Sequence, residues 1–124
     1  MATSIGFYLS ALIAAGIIFI GGRFLVAPSL AAAAYGVPAP TEPRSRAYLS
    51  VKGIRDIASG LFIAIFIAYR AAHPLGWFML VAAIIPIGDA AIVLRHGGSR
   101  AIAFGVHGVT AAVMLIISGL LLFH

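Results

Sequence analysis

The chain has 124 residues, 63% of them hydrophobic and 9% charged, with a mean hydropathy of +1.15 and a formal net charge of +5. A soluble domain carries about 25% charged residues, so this composition excludes a water-soluble globule and makes lipid the solvent for most of the surface. The lack of cysteine excludes disulfides, thiolate metal sites and thiol redox chemistry, and basic residues scattered singly are no nucleic-acid footprint.

At about 20 residues per crossing, the length allows about four spans. The expected fold is all-α: a single transmembrane domain over residues 1–124, folded as an antiparallel four-helix bundle. Met1-Ala2-Thr3-Ser4 lacks the basic region of a signal peptide, and the apolar stretch after it is too long for one, so it reads as a retained helix. The first span is expected over residues 5–27, uncharged until Arg23 and ended by Pro28. Ser29 to Gly36 reads as a short interfacial helix in the first loop, with the serine as its cap and the glycine at its end. Val37 to Pro43, with three prolines and Glu42, reads as an extended linker.

The second span is expected over residues 46–69. Its uncharged part, Ile57 to Tyr69, is only about 20 Å long at 1.5 Å per residue, so the turns carrying Lys52, Arg55 and Asp56 must also enter the membrane. The third span is expected over residues 74–94, starting at Pro74. Pro86 inside it supplies no N–H to the carbonyl of Ala82, and Asp89 follows one turn after the proline. Arg95 to Arg100 is a polar turn, and the fourth span follows over residues 101–123. Loops one and three hold Arg44, Arg46, Arg95 and Arg100, whereas the opposite side has only Arg70. The positive-inside rule then places both loops in the cytoplasm and both termini outside, in a cytoplasmic (inner) membrane.

Two of the three acidic residues, Asp56 and Asp89, lie in these apolar spans, as does His107. A charge at mid-bilayer costs about 2.5–3.5 kcal/mol on insertion scales, so such groups usually face an interior site and one another. In an antiparallel bundle all of them, with Arg23, fall in the same half of the bilayer, which points to a shared polar pocket. Lys52, Asp56, Ser59 and Ile63 share one helical face, and Arg55 points about 100° away from Asp56. Arg55 is therefore expected to reach Asp89, leaving Asp56 to Lys52 or Arg23. Three cations against two carboxylates leave a surplus positive charge for a lipid phosphate or an anionic ligand.

Each residue has a structural reading beside the functional one. Arg23 and Lys52 can snorkel to the headgroups. The Arg55, Asp56 and Asp89 set can be an ion-pair network locking two helices, and His107 an interhelical hydrogen-bond donor. His73 and His96 read as interfacial, and Tyr69 and Trp77 as belt aromatics. Ala101, Gly105, Gly108 and Ala112 form a small-residue stripe suited to close helix packing, within the chain or in a homodimer. No second well-placed histidine accompanies His107, so neither metal nor cofactor is expected.

Pro28 with Tyr35-Gly36-Val37-Pro38, Lys52-Gly53-Ile54-Arg55-Asp56 with Gly60-Leu61, Ile85-Pro86 with Asp89, and His107-Gly108 with Thr110-Ala111 carry a resemblance. The chain resembles the domain-of-unknown-function 4267 family of small four-span membrane proteins, and more distantly the DoxX-like proteins. The resemblance covers nearly the whole chain. It implies a four-span fold and brings no activity with it.

The expected function is acid–base catalysis on a lipophilic small molecule: isomerisation, cyclisation or epoxide opening. Catalysis is assigned to Asp56, Asp89, His107 and Arg55, with Asp89 as base, His107 as acid and Arg55 orienting a carboxylate. Ligand contacts are assigned to Arg23, Lys52, Ser59 and Thr110. Membrane lipids and a lipophilic small molecule are the expected partners, with no nucleic acid. The alternatives are a proton-coupled transporter working as an oligomer, and a non-catalytic lipid-binding or scaffold protein.

Overall fold

The computed structural model describes residues 1–38 and 43–124, and the only regular structure among them is helical. In chain order the helices are α1 (Ala2–Val26), α2 (Pro28–Tyr35), α3 (Pro43–Ala68), α4 (Ala72–Arg95) and α5 (Arg100–Leu122). Three of them, α1, α4 and α5, are long and apolar enough to cross a membrane, with mean hydropathies of 2.1, 2.2 and 2.0. α3 has the length, at 26 residues, but its first half carries Arg44, Arg46, Lys52, Arg55 and Asp56. Large apolar side chains such as Leu12, Phe19, Phe62, Ile84 and Ile116 are exposed. Such a surface suits lipid contact.

Pro28 both ends α1 and begins α2. It forces the preceding Ala27 out of the helical region, to φ −136° and ψ 67°, and then occupies the first turn of α2, where its missing N–H costs nothing. The expected serine cap is therefore not used: Ala27 is the N-cap, and Ser29 lies inside the first turn. α2 ends in a Schellman turn. The N–H of Val37 donates to the Ala32 carbonyl and that of Gly36 to Ala33, with Gly36 at φ 100°. The same turn closes α3 with Arg70 at φ 51°, a conformation that costs an L-residue about 1–2 kcal/mol. Its guanidinium stacks over the Phe7 ring at 5.8 Å from the centroid, a contact that glycine could not make. Of the expected linker only Val37, Pro38 and Pro43 lie within the described residues.

α1 packs most extensively on α3, and α4 on α5. The α1–α3 contact is made by small residues seven apart: Ala14 and Gly21 on α1 face Gly60 and Gly53 on α3. An ideal Cβ on Gly21 would lie 2.6 Å from the Gly53 carbonyl oxygen, and one on Gly53 equally close to the Gly21 oxygen. The expected stripe on α5 makes no such contact within the chain. Ala101, Gly105 and Ala112 are exposed, and a Cβ on Gly105 would meet nothing. The buried face of α5 is instead Ala103, His107, Ala111, Met114, Ile117 and Leu121.

Two apolar clusters bracket the interior. The larger joins Ala14, Ile63, Leu75, Met79, Ala83, Met114, Ile117 and Leu121. The smaller, Phe24, Ala31 and Ala32, seats α2 against α1, with Tyr35 packed on it. The polar groups lie between them.

Candidate functional site

A cavity of about 190 Å³ is lined by α1, α3, α4, α5 and the last residue of α2. Most of its wall is apolar, including Leu12, Ile13, Ile17, Phe78, Ile85 and Met114, and its polar groups are Tyr35, Lys52, Asp56, Ser59, Asp89, His107 and Thr110. Several lining residues are exposed, among them Leu12 and Ile20 on α1, Ile85 on α4 and Val106 on α5, so the wall reaches the apolar surface of the molecule. All four residues of the expected α3 face, Lys52, Asp56, Ser59 and Ile63, line it.

Lys52 donates to Asp56 at 2.6 Å, one turn apart in α3, with side-chain exposures of 29% and 13%. Its ammonium also lies 4.6 Å from the Phe24 ring centroid and 4.4 Å from that of Tyr35. The cation is thus held by one carboxylate and two aromatic faces. Replacing Lys52 with Met strands the Asp56 carboxylate and is expected to cost about 2–4 kcal/mol, whereas Lys52→Met/Asp56→Leu recovers most of it. Thermal unfolding in detergent measures both. A double variant as unstable as the single one would show that the pair is not the source of the loss.

His107 is almost fully buried within a π-helical stretch, Ala103–Gly108. Such insertions recur at functional sites because they re-aim side chains. Its Nε2 lies 2.8 Å from the carbonyl oxygen of Tyr35, and its ring packs edge-on against the Tyr35 ring with centroids 4.3 Å apart. A carbonyl only accepts, so Nε2 carries a proton and donates it to Tyr35. The bond is available because the Schellman turn consumes the Ala32 and Ala33 carbonyls and leaves that of Tyr35 at the helix end.

Asp89 comes from the part of α4 after its break at Ala83, three residues beyond the buried Pro86. No cation lies within ion-pair distance of it among the described residues; the one ion pair there is Lys52–Asp56. The Tyr35 hydroxyl is buried beside Asp89 without reaching hydrogen-bonding geometry. Burial first, then the nearby Asp89 and Asp56 carboxylates, push the Tyr35 phenol well above its ordinary range. Below about pH 10 the phenol is neutral folded and unfolded, so it adds no pH dependence. Above that, only the unfolded chain ionises, and stability falls by about 1.4 kcal/mol per pH unit. Thermal unfolding measured at several alkaline pH values is expected to show a shallower decline for Tyr35→Phe.

Ser59 and Thr110 line the cavity but spend their hydroxyl protons on their own helices, donating to the carbonyls of Arg55 and Val106. They offer a ligand lone pairs only. Arg55 does not join the site: its side chain is exposed and lines neither cavity, so the expected Arg55–Asp89 pair does not form. The 100° turn from Asp56 carries it off the interior face of α3. Arg23 is also absent from the main cavity and lines a neighbouring one of about 180 Å³. With both arginines outside, the main cavity has one cation against two carboxylates, which reverses the expected surplus of positive charge. The expectation overlooked Phe24 and Tyr35. Tyr35-Gly36-Val37-Pro38 was legible as a motif, but its place at the end of an interfacial helix gave no sign that the ring turns inward.

A family profile described as Domain of unknown function (DUF4267) matches residues 14–121. The chain belongs to this family. No curated protein and no solved structure matches it. The DUF4267 match takes in every polar residue of the cavity and all four small residues of the α1–α3 contact. In this DUF4267 chain the residues that carried the resemblance have separate physical duties. Gly53 and Gly60 admit α1, Gly36 closes α2, and Asp56, Pro86, Asp89, His107 and Thr110 line the cavity.

Proposed function

We propose that this protein spans the membrane four times, with α3 as the fourth crossing, and rearranges a lipophilic small molecule by proton transfer in the main cavity. At 26 residues α3 is about 39 Å long, enough for a hydrocarbon core of about 30 Å. The arginines near its start and in the Arg95–Arg100 turn favour a cytoplasmic position for that end of the molecule.

One observation carries the chemistry: a mostly apolar cavity is lined by a carboxylate, Asp89, that forms no ion pair among the described residues. The polar atoms of the wall are mainly acceptors: the Asp89 carboxylate and the Ser59 and Thr110 oxygens. A site rich in acceptors suits a substrate that donates a hydrogen bond or surrenders a proton. Asp89 takes a proton from one carbon of the substrate, exchanges it with water and delivers a proton to a second carbon of the same molecule, so isomerisation needs no other co-reactant. The Tyr35 hydroxyl, a donor beside Asp89, positions the developing anion. The Nε2 proton of His107 is donated to the Tyr35 carbonyl, so this reading routes both proton steps through Asp89. The scaffold reading needs an ion-pair network between α3 and α4, and the Lys52–Asp56 pair lies within α3 alone.

The test is deuterium transfer. Membranes enriched in the protein, incubated in D₂O with the apolar extract of host cells, are expected to place deuterium on carbon in at least one extracted species. Gly16 lines the cavity, and a Cβ there meets nothing, so Gly16→Phe is expected to fill the space and stop the exchange. Equal deuterium in wild-type, Gly16→Phe and empty membranes would sink the proposal.

A further inference from the structure

Arg23 sits in the last turn of α1, half-buried, and lines the second cavity with Ile20, Phe24, Ala31, Ala34, Tyr35 and Val106. Its guanidinium has no carboxylate within 4.0 Å among the described residues. No other side chain in that lining is charged. Ile20, Tyr35 and Val106 also line the main cavity, so the two spaces share a wall. The charges of the two are opposed: a lone cation in one, a net negative set in the other.

We propose that the second cavity is an anion subsite, and that the molecule bound by this protein is an acidic amphiphile. Its oxyanion, carboxylate or phosphate, rests on Arg23, and its apolar body passes the wall formed by Ile20, Tyr35 and Val106 into the main cavity. This rests on the reading of the main cavity as the substrate site. Charge fixes the orientation. An anion placed among Asp56 and Asp89 meets repulsion in a low-dielectric setting, whereas Arg23 offers it a fork of donors. The polarity of the walls agrees, since the main cavity supplies long apolar surfaces and the Arg23 cavity a single charge at the edge of the membrane. The arrangement keeps the ionised head away from Asp89 and leaves the uncharged part of the molecule to face the base.

Native mass spectrometry of the full chain in detergent tests this, with three probes offered at equal concentration: oleate, phosphatidylglycerol and uncharged monoolein. The wild type is expected to retain at least one of the two anionic probes about tenfold over monoolein. Retention of oleate alone identifies a free acid, and retention of phosphatidylglycerol identifies a membrane lipid. Arg23→Gln is expected to abolish the preference, while Arg23→Lys keeps part of it and Arg100→Gln, at an exposed site, keeps all of it. Unchanged thermal unfolding of Arg23→Gln shows that the loss is not misfolding; if that variant does not fold, the Arg23→Lys and wild-type comparison decides. No anionic preference in the wild type, or full preference in Arg23→Gln, would overturn the subsite. The subsite stands or falls separately from the proton-transfer proposal, which only the deuterium experiment addresses.

Discussion

Gly53→Val is expected to prevent recovery of folded protein, and Gly53→Ala to lower its thermal stability in detergent. A Cβ at this position meets the Gly21 carbonyl oxygen at 2.6 Å, with Leu25 and Phe24 side-chain atoms at 3.2 Å. Overpacking normally costs about 1–3 kcal/mol where side chains can move aside. Here the nearest atom is backbone, so relief requires α1 and α3 to separate along the whole contact. The substitution is reciprocal, because Gly21 faces the Gly53 oxygen at the same distance, and Gly21→Ala is expected to behave like Gly53→Ala. Gly105→Ala is the control. Its Cβ meets nothing, and the change is expected to be neutral or slightly stabilising, within about 1 kcal/mol. If Gly53→Ala unfolds at the same temperature as the wild type, α1 and α3 do not meet at these glycines. The consequence reaches the site, because Phe24 and Lys52 flank the same contact and their cation–π approach depends on its spacing.

Asp89→Asn is expected to stop proton transfer while leaving a folded protein. The amide nearly matches the carboxylate in shape but has no basic oxygen, so a single general base is lost. Such a loss is commonly worth about 10²–10⁴-fold in rate. Stability is expected to hold, because Asp89 forms no ion pair among the described residues whose partner would be stranded. The two readouts are therefore deuterium incorporation and thermal unfolding, measured on the same preparation. A variant that still exchanges deuterium at the wild-type rate removes Asp89 from the chemistry. A variant that unfolds early assigns the carboxylate to structure. Asp56→Asn is expected to behave differently, since it removes the counter-charge of Lys52 and lowers stability first.

Much of this was legible in the sequence because membranes penalise charge so strongly. The cost of burying Asp56, Asp89 and His107 singled them out, and 3.6-residue periodicity put Lys52, Asp56, Ser59 and Ile63 on one face; the cavity holds them all. Periodicity also warned that Arg55 points elsewhere, yet unpaired charge at Asp89 drew it inward in the reading, and the structure leaves it exposed. The small-residue stripe on α5 was the more visible one, with Ala101, Gly105, Gly108 and Ala112 close together. Gly21 and Gly53 do the packing instead, and their pairing is a long-range fact that neither local stretch contains. Tyr35 was missed for the same reason: its inward turn depends on α5 arriving beside it. The π-helical stretch at Ala103–Gly108 leaves no mark in composition at all.

The hydrogen bond from His107 to the Tyr35 carbonyl joins residues 72 positions apart. In a chain made and inserted from its N-terminus, α2 emerges long before α5. Until α5 arrives, the carbonyl at the end of α2 lacks this donor and the Tyr35 ring lacks its edge-on neighbour. The cavity is therefore completed by α5. A chain stopped before His107 keeps both aspartates and Lys52 but lacks one wall of the cavity, so a ligand that needs the whole pocket must wait for the end of synthesis.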